Sequence, residues 1–170
     1  MAGALVHIGT EVAGGSDATL KITGITSDYD VYLLVAKGIK PATDDDIAWR
    51  VTKGGTIQDD SAYDNARKDQ PSNANMQDNE GDGANAVTNA NIESTQHGYF
   101  GNFYLFNFAD TSQYSAGTFE TVGFVSTPQG FGGNGSFIHY VASASDGISF
   151  HFVGGANIAA GRLELYGIKN

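Results

Sequence analysis

The sequence predicts an all-β protein, an antiparallel β-sandwich of the jelly-roll type that carries one long polar loop. Three observations predict it. Apolar residues recur at every second position in stretch after stretch, which is the period of a strand with one buried face. Glycine is abundant, 23 of 170 residues, while charged residues make up only 16%, a composition that suits short strands and tight turns better than long helices. Outside one insertion the strand patterns succeed one another with no helix between them, as in a sandwich and not in a βαβ fold. A chain of this length fits one domain, residues 1–170, able to bury about 70% of the surface its unfolded form exposes.

The elements follow in order. "ALVHIG" opens the series near the start. In "TLKIT" (19–23) Leu20 and Ile22 share one face and Lys21 takes the other. "YDVYLLVA" (29–36) is apolar on both faces, which places it centrally in a sheet or under a cover. "IAWRV" sets Ile47, Trp49 and Val51 against Ala48 and Arg50. "YFGNFYLFNF" (99–108) is again apolar or aromatic on both faces; "TFETVGFV" (118–125) and "SFIHYVA" (136–142) follow it. "SFHFV" sets Phe150 and Phe152 against Ser149 and His151, and "RLELYGI" sets Leu163 and Leu165 against Arg162, Glu164 and Tyr166. The connections between these nine strands are rich in Gly, Asp, Asn and Ser, which tolerate turn dihedrals.

Two stretches need separate treatment. "GFGGNG" (130–135) spells a dinucleotide-binding fingerprint, but a strand pattern follows it where the helix should stand, and no acidic residue lies about twenty positions on. It is expected to be a hairpin loop, and no cofactor is predicted. Residues 54–95 hold eight acidic and two basic residues and few large apolar ones. "DSAYDNARK" within them suits a short helix capped by Asp60 or Ser61, and the rest suits an extended loop. This segment is expected to be either a floppy surface excursion or an arm that orders against a neighbouring subunit through Ile57, Tyr63, Met76 and Ile92.

Composition excludes several function classes. The net charge of −10 repels phosphate backbones, so nucleic acid is not an expected partner. The longest apolar run, "VYLLVA", cannot span a bilayer, and the opening lacks the basic and apolar regions of a signal peptide, so no membrane partner and no export are expected. There is no cysteine for disulfides or thiolate metal sites. No G-x-S-x-G elbow is present, and His7, His97, His139 and His151 are scattered singly, so no enzyme and no catalytic residue is predicted. In "DNEGDG" Asp78, Glu80 and Asp82 alternate before Gly83 as a calcium loop begins, yet its twelfth position is Asn89 where the bidentate Glu belongs. These three carboxylates are weak calcium candidates, and "TDDD" (43–46) is expected to be turn carboxylates. The aromatic strand around Phe103, Tyr104 and Phe106 is a candidate for core plus a subunit seam.

Two segments carry a resemblance. "ATLKITGITSDYDVYLLVAKGIKPATDDDIAWRV" (18–51), with its "GI-S-YD" turn and "I-PATD" connection, and "GGANIAAGRLELYGIKN" (154–170), with Ile158, Gly161, Leu165, Tyr166, Gly167 and Ile168 in an "NI-G-LYGI" pattern, resemble virion structural proteins of tailed bacteriophages. Together they cover about a third of the chain; 54–95 matches nothing in that group. The resemblance implies a jelly-roll particle component and transfers no catalytic residue. It implies association around a threefold axis but does not place the protein on head or tail; the acidic, cysteine-free composition and the long loop lead to the expectation of a homotrimeric decoration, or cement, protein that binds the major capsid protein on the outer surface of a virion assembled in the host cytoplasm. The alternative is a tail or head fibre module that binds host surface glycans.

Overall fold

A computed structural model of the chain describes residues 4–72, 74–95, 97–126 and 129–169. It contains thirteen strands: β1 (Ala4–Val12), β2 (Thr19–Thr23), β3 (Val31–Pro41), β4 (Asp45–Lys53), β5 (Thr56–Ile57), β6 (Tyr63–Pro71), β7 (Gln77–Ala84), β8 (Val87–Ile92), β9 (Tyr99–Phe106), β10 (Tyr114–Ser126), β11 (Gln129–Ala142), β12 (Gly147–Phe152) and β13 (Ile158–Lys169). The described residues include no helix. The nine strands read from the apolar alternation fall on β1 to β4 and β9 to β13.

The strands form two antiparallel sheets facing each other. The larger has eight strands in the order β1-β13-β3-β9-β10-β11-β6-β7; the smaller has five, ordered β2-β12-β4-β5 with β8 also paired to β4. Four pairings are nested: β1 with β13, β2 with β12, β3 with β9 and β4 with β8. Each early strand thus meets a late one in reverse order. Two insertions interrupt the nest, β5 to β7 between β4 and β8, and β10 with β11 between β9 and β12. The insertions pair with each other through β11 and β6 and thereby widen the large sheet.

The core is the layer between the sheets. Trp49 of β4, fully buried, meets the rings of Phe119, Phe103, Phe150 and Phe137 at centroid distances of 5.0, 5.2, 5.9 and 6.3 Å. Three of these contacts are edge to face, the arrangement that aromatic quadrupoles favour. Leu34, Leu105, Leu163 and Leu165 of the large sheet and Leu20, Ile22, Ile47 and Ile148 of the small one complete the layer. Burial of each such side chain contributes roughly 1.5–3 kcal/mol.

The "GFGGNG" stretch is not a hairpin loop; it lies inside β11, paired on both sides. One of its glycines, Gly135, is a seat for a ring, as Gly117 and Gly123 are in the facing strand β10. In the β10–β11 register Gly117 faces Phe137, Phe119 faces Gly135 and Gly123 faces Phe131. A Cβ on Gly135 would meet the Ala66 carbonyl oxygen at 2.5 Å and the Phe119 ring at 2.8 Å, so only glycine lets the aromatic layer close there.

The stretch 54–95 is likewise not one long loop with a helix; it carries the strands β5 to β8. β6 follows the two-residue strand period in polar side chains: Asn65, Arg67 and Asp69 are partly buried, whereas Ala66, Lys68 and Gln70 are exposed. The partly buried charges neutralise one another. Arg67 Nε donates to Asp69 Oδ2 at 2.9 Å, Arg67 Nη1 donates to the Thr88 carbonyl of β8, and Asn79 Nδ2 donates to Asp69 Oδ2 at 2.7 Å. An ionic seam stands where the other strands use apolar residues.

Candidate functional site

Side chains alternate across a strand, so the outward positions of the large sheet line up in cross-strand rows. One row runs Leu33, Tyr104, Thr118, Ser136, Ala66 and Glu80, and the next runs Val35, Asn102, Glu120, Asn134, Lys68 and Asp78. Toward β3 and β9 the outer face is apolar, with Leu33, Val35, Phe100 and Phe106 half-buried and Tyr104 45% exposed. Val122, paired with Phe100, and Ile138, in the row of Phe106, stand at its two ends at 47% and 41% exposure, with the polar Thr118 and Glu120 rows between them. Toward β7 the face becomes a groove of about 930 Å³ with a mixed polar and apolar lining, Tyr104 at one end and Asp78 and Glu80 at the other. Lys68 Nζ bridges to Asp78 Oδ1 at 2.8 Å across its floor.

The residues predicted as subunit contacts separate into two groups. Tyr63, Ile92 and Phe103 are fully buried and hold the sandwich together, so they offer no surface to a neighbour. Tyr63 is fastened by its hydroxyl, which accepts from the Val51 N–H and donates to the Gln58 carbonyl at 2.8 Å, and burial pushes its phenol well above the usual range. Ile57 is half-buried in β5. Tyr104 and Phe106 do lie on the outer face of β9, and Met76, just before β7, is exposed. The strand alternation of "YFGNFYLF" inverts Phe103 relative to its two neighbours.

The calcium candidates do not form a loop. Asp78, Glu80 and Asp82 occupy alternate outward positions of β7, where residues two apart rise by about 6.6 Å and their carboxylates splay along the strand. Lys68 already neutralises Asp78. Among the described residues no three His, Cys, Asp or Glu side chains come together as a metal site. The "TDDD" carboxylates are clips: Asp44 accepts from Ser94 N and Oγ, both at 2.7 Å, and the backbone bond leads in holding its carboxyl below the ordinary range. Asp45 accepts from the backbone N–H groups of Gly154 and Ala156 at 2.8 and 3.0 Å.

The histidines lie apart in the fold. His7 bonds Thr10, and His97 packs on Phe124. His151 is half-buried, and desolvation, with the Arg50 charge, pulls its pKa down to about 4. His139 is buried between Asp60, 2.9 Å from its Nε2, and the Tyr63 ring at 4.7 Å. Ser115 faces His139 across the β10–β11 register, yet both are sealed in the interior and the Ser115 hydroxyl donates to Ser145. Ser115 and His139 are ladder partners and Asp60 bonds His139, yet the Ser115 hydroxyl is buried and turned to Ser145.

The groove residues Thr118, Glu120, Asn134, Ser136 and Lys68 were not singled out by sequence. Their signal was present as polar residues at alternate positions of "TFE" and "NGS", but only the β11–β6 pairing brings them beside Lys68. No helix among the described residues is long and apolar enough to cross a membrane. The chain matches no family model, no curated protein and no solved structure.

Proposed function

We propose that the protein is a bacteriophage virion structural protein, a capsid decoration protein of jelly-roll fold that attaches to the outer shell and stabilises the head. The jelly-roll part of the reading is supported by the nested pairings, 1 with 13, 2 with 12, 3 with 9 and 4 with 8, which are those of a folded two-stranded ribbon wound into two sheets. The observation that carries the docking role is the outward apolar band of Leu33, Val35, Phe100, Phe106, Val122 and Ile138, set on strands paired on both sides. Partly exposed apolar side chains of this kind on a rigid sheet suit a protein contact. The band covers itself against further copies around a threefold axis and against the major capsid protein beneath. The formal charge of −10 keeps the free protein soluble and away from packaged DNA. Each bound copy adds contact area to an assembled shell and so stabilises it by mass action.

The test uses particles that lack the protein. They should lose heads on heating, regain stability when the purified chain is added, and fail to do so with Phe106→Asp. Heads of unchanged stability combined with lost adsorption to host cells would overturn the decoration reading in favour of a fibre module.

A further inference from the structure

We propose that the groove on the outer face of β6, β7 and β9 to β11 is a binding site for a neutral saccharide chain. Four features of the groove point to that ligand class. Tyr104 presents an exposed ring at one end, a surface on which the C–H face of a sugar stacks. The floor beyond it carries hydroxyl, amide and carboxylate groups, Thr118, Ser136, Asn134, Glu120 and Glu80, in two adjacent rows, a mixture of donors and acceptors that vicinal hydroxyls require. The rows cross five strands, about 19 Å, so the groove is elongated and open at the surface. All of these side chains stand on strands, which hold them in place before any ligand arrives.

The same features argue against other occupants. β9, β10, β11 and β6 are paired on both sides, so a peptide could add as a strand only at the far edge of β7, which would leave the groove floor empty. The groove's acidic groups Asp78, Glu80 and Glu120 outnumber the one outward cation, Lys68, which is already bonded to Asp78, so phosphates and other anionic ligands are repelled. A polyhydroxylated, uncharged chain meets every one of these conditions.

The two insertions build most of this site. Without β6, β7, β10 and β11 the large sheet would end at β9, and the groove would keep only Tyr104. The inference does not rest on the particle reading, because it concerns the isolated chain.

The full-length protein is applied to a printed array of defined oligosaccharides, neutral and anionic, and any binder is titrated against the protein by NMR. We expect binding confined to neutral members, amide shifts confined to β6, β7 and β9 to β11, and affinity weakened at least tenfold by Tyr104→Ala and at least fivefold by Glu120→Gln. Val12→Ala, exposed at the opposite edge of the sheet, should bind as the parent does, and thermal melts should confirm that each variant is folded. An array without a neutral binder, shifts elsewhere on the surface, or undiminished binding by Tyr104→Ala would each overturn the proposal. If the two groove variants instead abolish attachment to particles while no glycan binds, the groove is a protein contact and the saccharide assignment fails.

Discussion

Replacing Arg67 by methionine removes the cation from the seam that joins β6 to β7 and β8. Arg67 and Asp69 side chains are 14% and 13% exposed, so the pair is nearly interior. Breaking a buried pair by deleting one partner costs about 3–5 kcal/mol, because the surviving charge is left desolvated. Asp69 would keep the amide of Asn79, which offsets part of that, and the residual exposure lowers it further. A cost of about 3 kcal/mol follows, near the lower end of that range. Because β7 is an edge strand, the loss should appear as local opening of the β6–β7 hairpin. Amide hydrogen exchange in Tyr63–Pro71 and Gln77–Ala84 should then accelerate about a hundredfold, by the relation of 1.4 kcal/mol to each factor of ten. Protection in β3, β4 and β13 should change little. The double variant Arg67→Met with Asp69→Leu should recover at least half of the lost protection, since removing both charges leaves no unpaired ion. Unchanged exchange in the hairpin of Arg67→Met would refute the claim that an ionic seam holds these strands.

Further outcomes follow from the same structure. Gly135→Ala places a Cβ within 3 Å of the Ala66 carbonyl oxygen and the Phe119 ring, neither of which can retreat, and should cost about 1–3 kcal/mol in urea melts; a neutral effect would mean the ring is not seated there. His151 has its pKa depressed to about 4, so it contributes stability that is present above pH 6.5 and is lost as the pH falls through about 4; His151→Gln should flatten that part of a urea-midpoint profile, and an identical profile would count against it. Glu164 is held down to about 2, first by the hydrogen bond from Lys37 at 2.7 Å and then by that from Tyr166, so its contribution is present above about pH 4.5 and fades toward pH 2. Lys37→Met should raise the Glu164 titration seen by carboxyl NMR, and no movement would show that the pair is not formed in solution.

Much of the frame could be read from alternation alone, because β2, β4, β12 and β13 write their buried face in Leu, Ile, Trp and Phe. The nested pairing could not, since β1 and β13 are joined only by the closed fold and neither carries a local turn signal for the other. The strands of 54–95 escaped because β6 puts Asn65, Arg67 and Asp69 where an apolar residue marks a strand, so a hydropathy period finds nothing. Gly135 of β11 misled for a related reason. Gly is a turn residue by default, and its use as a seat becomes visible only when β10 is read forward against β11 backward, where Gly117, Phe119 and Gly123 meet Phe137, Gly135 and Phe131. The groove depends on the junction of the two insertions, and no local motif announces such a junction. The expected contacts at Phe103 and Tyr104 show how a single residue step along a strand separates core from surface.

The proposed role is tested most directly by counting copies of the chain in purified particles assembled from the same genome, by quantitative mass spectrometry against the major capsid protein. A decoration protein should be present in hundreds of copies, in a fixed ratio to the shell subunits. A few tens of copies, independent of that ratio, would contradict the account and place the chain on an appendage.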